Sequence, residues 1–210
     1  RAKALVLNPW PATVRMGERV AVEGRAESYC SAFPDFPGRP ASRGWLGDLE
    51  TPVGGASHSL ARLRGWLRPP ADGKYTFWLT ADAEAELWLS PEAVPATAKK
   101  LCTVAEATQP GEWNRDSDQQ SDPVSLKAGQ AYYIEARQRA GSGPGFLAVA
   151  WRGPKFERQI LGGDHLTPGL GDRGATNGLL REQWTNCFLT SLATLPSNAT
   201  NPVMLALNQA

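Results

Sequence analysis

The sequence runs to 210 residues, enough for one sizeable sandwich with attached segments or for two small domains. Its formal net charge is +1, with both signs spread along the chain, which excludes a partner selected by bulk charge such as nucleic acid or an anionic membrane. The 21 glycines and 17 prolines fall in short clusters between apolar stretches, a punctuation that favours many short strands over long helices.

The chain opens at Arg1 without a charged and apolar leader, so it reads as a processed or trimmed product. Residues 1–28 hold two strand-like runs, Ala4-Leu5-Val6-Leu7 and Arg19-Val20-Ala21-Val22-Glu23, with Met16-Gly17-Glu18 as the turn. They read as the end of a preceding β domain or as strands added to the main one. Residues 29–44 contain Phe33-Pro34-Asp35-Phe36-Pro37-Gly38-Arg39-Pro40, where proline density leaves only a linker or a pinned loop.

In the next block Gly65-Trp66-Leu67 leads to the turn Pro69-Pro70-Ala71-Asp72-Gly73-Lys74. Tyr75, Phe77 and Leu79 then share one strand face; after a short loop Leu87 and Leu89 share another, with Trp88 opposed. A short turn is expected within residues 90–100. Farther on, Tyr132, Ile134 and Ala136 alternate with Tyr133, Glu135 and Arg137, and Leu147, Val149 and Trp151 alternate before Gly153-Pro154 stops the strand. This spacing, with Gly/Pro turns, describes an all-β antiparallel sandwich or barrel. No apolar run approaches the ~20 residues of a membrane helix, so a soluble molecule without a membrane span is expected.

Three cysteines are present: Cys30, Cys102 and Cys187. None has zinc or redox spacing. Cys30 and Cys102 are candidates for a disulfide, closing a loop of ~70 residues and contributing ~4 kcal/mol in the chain-entropy account. Small buried thiols are the alternative, and an odd cysteine also fits a bond between chains.

Gly65-Trp66-Leu67, Gly73-Lys74-Tyr75-Thr76-Phe77, Glu86-Leu87-Trp88-Leu89-Ser90, Glu112-Trp113, Pro123-Val124-Ser125-Leu126, Ala128-Gly129-Gln130-Ala131-Tyr132-Tyr133-Ile134 and Val149-Ala150-Trp151 occur in this order. Together, over residues 45–168, they resemble the anthrax protective antigen domain. The resemblance implies an antiparallel β-sandwich, and an extracellular or cell-surface setting like that of the toxins, glycosidases, surface proteins and adhesins that carry such domains. In residues 169–210, Gly178-Leu179-Leu180-Arg181-Glu182-Gln183-Trp184 is similar to the opening strand of that family, although it follows the domain. It reads as the start of a further repeat, as a strand folded back on its own domain, or as one donated to a neighbouring subunit. On the last reading Leu180, Trp184 and Cys187 are the assembly candidates.

Lectin-like members of the family bind calcium, and through it sugar hydroxyls, with two adjacent aspartates in the loop before the Leu-x-Leu strand. Here Asp82 matches the first, but Ala83 replaces the second and Glu84 offers a carboxylate from a different backbone position. The loop is either a weakened calcium site or a solvated acidic loop. A metal-free sugar site calls for an exposed ring with amides nearby. Trp113, beside Glu112 and Asn114, is the best candidate, with loop packing as the alternative reading. Trp78 and Trp88 face away from their core neighbours, to meet a ligand or, more in keeping with their size, a covering strand or subunit.

Catalysis finds little support. His58 and His165 lack suggestive partners, Asp48/Glu50 and Asp116/Asp118 are loop carboxylates, and no nucleophile elbow, phosphate loop or metalloprotease helix is present. Asn198-Ala199-Thr200 fits the glycosylation pattern. The expectation is a non-catalytic extracellular module binding a glycan or surface polymer. The alternative is a structural subunit of a surface array or fibre, assembled through residues 177–210.

Overall fold

A computed structural model describes residues 37, 39–143, 145–169, 177–185, 187 and 191–195, and the structural statements below concern these residues. The fold is all-β. Its strands are β1 (Ser42–Leu46), β2 (Ser59–Leu67), β3 (Gly73–Ala81), β4 (Ala85–Leu89), β5 (Lys99–Val104), β6 (Val124–Leu126), β7 (Tyr132–Ala140), β8 (Leu147–Gly153), β9 (Phe156–Ile160), β10 (Leu166–Thr167) and β11 (Leu179–Trp184). They form two antiparallel sheets: a large one ordered β1-β11-β2-β7-β4-β5 with β10 also on β2, and a small one ordered β6-β3-β8-β9. The turn expected within residues 90–100 is the 3-10 segment Pro95–Thr97.

Period-two alternation sets which side chains enter the core. Leu63 and Leu67 of β2, Leu87 and Leu89 of β4, and Ile134 and Ala136 of β7 line the inner face of the large sheet. Tyr75, Phe77 and Leu79 of β3 meet them from the small sheet together with Leu147, Val149 and Trp151 of β8. The ring of Trp151 stacks on Tyr75 at 5.2 Å between centroids and tilts against Phe156 at 4.8 Å. Each large side chain removed from water here contributes about 1.5–3 kcal/mol. Cys102 lies in this core as a free thiol, and its expected disulfide partner Cys30 lies outside the described residues. The Cys102 side chain points between the sheets, and burial in apolar surroundings pushes its thiol pKa up.

The outer face of the large sheet carries charge in alternating columns. Glu182 of β11 accepts from Arg43 of β1 (3.2 Å) and from Arg62 and Arg64 of β2 (2.5 and 3.0 Å). On β7, Arg137 donates to Glu135 (2.5 Å), which also accepts from the Tyr133 hydroxyl. Burial alone would raise the two carboxyls. Arg137 and Arg62 outweigh it at Glu135, and Arg62 and Arg64 do so at Glu182, so both sit below the ordinary range. Trp88 lies among the same cations, with Arg137 at 5.4 Å and Lys100 at 5.9 Å from its ring.

The C-terminal strand returns to its own sheet. Leu166 and Thr167 of β10 pair with Leu67 and Trp66 of β2. Farther along the same edge of β2, beyond Gly65, β11 pairs with Leu180 opposite Arg64 and Trp184 opposite Leu60. A Cβ at Gly65 would come within 2.8 Å of both the Thr167 carbonyl oxygen and Leu179 Cδ2. Entry into β11 turns on Gly178, at φ 106°, where a Cβ would meet the Leu46 carbonyl oxygen at 2.2 Å. β11 therefore fills the slot between β1 and β2, with Trp45 opposite Leu180 on the edge strand.

The sandwich thus draws on residues to either side of the 45–168 block. Among the assembly candidates, Leu180 and Trp184 belong to β11, while Cys187 packs with Leu60, Trp184 and Leu192 in a small second cluster. The expected strands in residues 1–28, Cys30 and the Asn198-Ala199-Thr200 triplet lie outside the described residues.

Candidate functional site

The loop from β3 to β4 holds Asp82, Ala83 and Glu84. The Asp82 carboxylate faces N–H groups, not open space. It accepts from Gln138 Nε2 (2.6 Å), Gly145 N (2.5 Å) and Phe146 N (3.2 Å), and so fastens the loop between β7 and β8 to its own. Glu84 turns the other way. Its two oxygens accept from Ser191 Oγ (2.7 Å) and Leu192 N (2.9 Å), anchoring the C-terminal 3-10 turn Leu192–Thr194, and from Arg139 Nε (3.2 Å).

Calcium needs several oxygen ligands converging on one point. In this loop one carboxylate is surrounded by hydrogen-bond donors, the second position is Ala83, and Glu84 is directed at a different segment. The residues present do not fit the ion. Among the described residues no group of three or more His, Cys, Asp or Glu side chains is placed to hold a metal.

A different cluster forms on the outer face of the small sheet, where β3 places Trp78 between its inward neighbours Phe77 and Leu79. Trp78 is 5% exposed. Its indole N–H donates to Gln120 Oε1 (2.9 Å), and two guanidinium carbons lie over its ring, Arg152 of β8 at 5.6 Å and Arg158 of β9 at 5.3 Å. The cover expected from another strand or subunit comes instead from this chain's own arginines and the 117–120 turn. Arg158 also reaches the Trp113 ring at 6.0 Å and donates to Asn114 Oδ1 (3.3 Å). Trp113 is half-buried; Asn114, Arg152 and Arg158 are exposed.

What fixes the Trp113 loop is a glutamine. Gln119 is completely buried in the 3-10 turn Ser117–Gln119, and all four of its side-chain hydrogen-bonding positions are used. Nε2 donates to the carbonyls of Leu79 (2.9 Å) and Glu112 (2.7 Å), while Oε1 accepts from the amides of Arg115 (2.8 Å) and Asp116 (3.0 Å). Glu112 Oε2 in turn accepts from Gln109 N (2.9 Å). A ring carried on a loop locked in this way loses little further freedom when it meets a ligand.

Four of the remaining candidates are engaged within the fold, while Glu50 and Asp118 are exposed. Asp48 accepts from Gly163 N (3.0 Å), and Asp116 forms a capping box with Gln119. His165 packs its ring on Trp151 at 5.2 Å, and His58 sits at φ 48° with its backbone N–H bonded to Gly141. Trp113 and Asn114, candidates from the sequence, thus fall in one cluster with Arg152, Arg158 and Gln119, which were not among the candidates. Alternation in Phe156-Glu157-Arg158-Gln159-Ile160 after the Gly153-Pro154 break was the signal for β9 and hence for Arg158; nothing local marks Gln119 as buried.

Comparison with known proteins follows from this geometry. The sequence profile of the PA14 domain matches residues 42–163. Among curated proteins, the mouse N-acetyl-beta-glucosaminyl-glycoprotein 4-beta-N-acetylgalactosaminyltransferase 1 is 32% identical over 113 residues, covering 50% of this chain and 11% of the enzyme. Mouse fibrocystin is 32% identical over 89 residues, covering 37% of this chain and 2% of fibrocystin. The matches thus span only a small part of these relatives' length. Of solved structures, the PA14 sugar-binding domain from an RTX adhesin superposes with a TM-score of 0.47 at 14% identity, covering 70% of this chain and 86% of that one. The epithelial adhesin 6 A domain of Candida glabrata, in complex with Galβ1-3GlcNAc, gives 0.41 at 16% identity, with 56% and 54% covered. With more than half its length matched by the family profile, and with the sandwich that the matched residues build, this chain belongs to the PA14 domain family.

Proposed function

We infer that the chain is a non-catalytic glycan-binding module of a larger extracellular or cell-surface protein, working without calcium. One observation carries the reading: Trp113 stands on a loop locked by buried Gln119, with the amide of Asn114 and the guanidinium of Arg158 beside it. A flat ring flanked by hydrogen-bonding groups suits a pyranose, whose C–H face stacks while its hydroxyls are met at the edge. Family membership supports the class, since lectin-like members bind sugars. The carboxylates of Asp48 and Asp82 are engaged by backbone N–H groups. Within a large parent, such as the transferase among the relatives, a module of this kind would bring its host to a glycan-bearing surface.

The alternative, a structural subunit joined through its C-terminal strand, would require β11 to leave a slot that it fills in its own sheet.

The test is a glycan array probed in calcium and again in chelator. Retention of one glycan class in both conditions, lost in Trp113→Ala, is the expected result. Capture only in calcium would return the site to the Asp82 loop, and no capture of any glycan would overturn the reading.

A further inference from the structure

Among the described residues, six arginines form ion pairs with carboxylates: Arg43, Arg62 and Arg64 at Glu182, Arg137 at Glu135, Arg139 at Glu84 and Arg115 at Glu106. Arg68 and Arg181 bond Gly129 and Gln183 instead, whereas Arg152 and Arg158 share one aromatic ring. Both are exposed on the outer face of the small sheet, and no carboxylate among the described residues forms an ion pair with either. Each lies over the single ring of Trp78, Arg152 at 5.6 Å and Arg158 at 5.3 Å. Two like charges held over one indole repel each other, and an anion placed between them relieves that repulsion. Stacking of a guanidinium on an aromatic ring occupies its face and leaves its N–H edge for an oxyanion. Arg158 uses one N–H on Asn114, the neighbour of Trp113.

We propose that this face selects glycans that carry an acidic group, with Arg152 and Arg158 clamping a carboxylate or sulfate while Trp113 stacks on the adjoining pyranose. Trp78 is the positioning residue: its buried ring, fixed by the bond to Gln120, gathers the two guanidiniums at 5.6 and 5.3 Å from one centroid. The inference rests on the glycan reading above and adds the class of sugar. Arginine suits the role better than lysine, since its planar fork meets two oxygens at once.

Calorimetry on the whole chain tests it with four probes: lactose, sialyllactose, a sulfated lactose and inorganic sulfate. At least one acidic sugar is expected to bind about 10-fold or more tighter than lactose, as one or two charge-assisted hydrogen bonds allow. That advantage should shrink as salt is raised. Arg152→Gln, which lies outside the Trp113 site itself, should remove most of the preference, leave lactose binding within about twofold and leave the melting temperature unchanged. The two acidic arms tell carboxylate from sulfate as the recognised group. Lactose binding without acidic preference overturns this inference and leaves the glycan reading standing. Binding of no sugar overturns both. Inorganic sulfate binding as tightly as the sulfated sugar would reduce the face to a simple anion site and overturn the inference. So would a Gln variant that loses neutral and acidic sugars equally.

Discussion

Glu182 and Asp82 are both carboxylates that hold strands or loops together, yet their surroundings give them different consequences. Glu182, 1% exposed, pairs with three guanidiniums from two neighbouring strands. Its removal leaves Arg62 buried without that counter-charge, and breaking such a cluster costs about 3–5 kcal/mol. Urea unfolding of Glu182→Gln should show that loss. Because Glu182 and Glu135 are held below their ordinary pKa, their stabilisation is complete above the unfolded carboxyl value of ~4.3. It disappears as pH falls through the folded values, so stability should be level from neutral pH to about 5 and drop below about 4. At Asp82 the expectation is a null response to metal: millimolar calcium should leave the melting temperature unmoved, since its oxygens already accept three hydrogen bonds. Gln119 is the third case. In Gln119→Leu two carbonyls and two amides lose their partner, with an expected cost of at least ~2 kcal/mol and a matching loss of sugar affinity.

Strand parity was legible at the level of the element, because alternation of Tyr75-Phe77-Leu79, Tyr132-Ile134-Ala136 and Leu147-Val149-Trp151 leaves one way to bury them. β5 and β9 were not read, since Lys99–Val104 and Phe156–Ile160 mix charge into short runs on sheet edges. The opening-strand motif in β11 was visible too, but its partner was not. Pairing across residues 64 and 180 is a long-range contact that no local pattern encodes, although Gly65 and Gly178 mark where the chain passes closely. A chain ending at Pro168 would uncover the β2 edge and the core side that Leu179 covers. It is expected to lose the cooperative fold or to associate through that edge, read by circular dichroism and sedimentation. A folded monomer at that length would show that β11 is dispensable.

Seen as a whole molecule, the two sheets have outer faces of opposite character. The large sheet balances arginine against glutamate and is mostly closed off, whereas the small sheet leaves Arg152 and Arg158 exposed over Trp78, with Arg158 also reaching Trp113 and Asn114. Trp113 and Asn114 could be picked from sequence because an aromatic ring in a polar loop is locally visible; the arginines join them only through the β8–β9 hairpin, whose pairing places Arg158 near the loop. The family's lectin-like members point to the opposite conclusion, a site at Asp82, which the hydrogen bonds there disfavour. An amide and indole NMR titration with the tightest sugar, in the presence of chelator, separates the two. The indole N–H of Trp113 and the amides of residues 112–114, 152 and 158 should shift, while those of 82–84, 141–143, 145 and 146 stay in place. Shifts confined to the latter residues would contradict the account and place the ligand at the other end of the sandwich's chemistry, on Asp82.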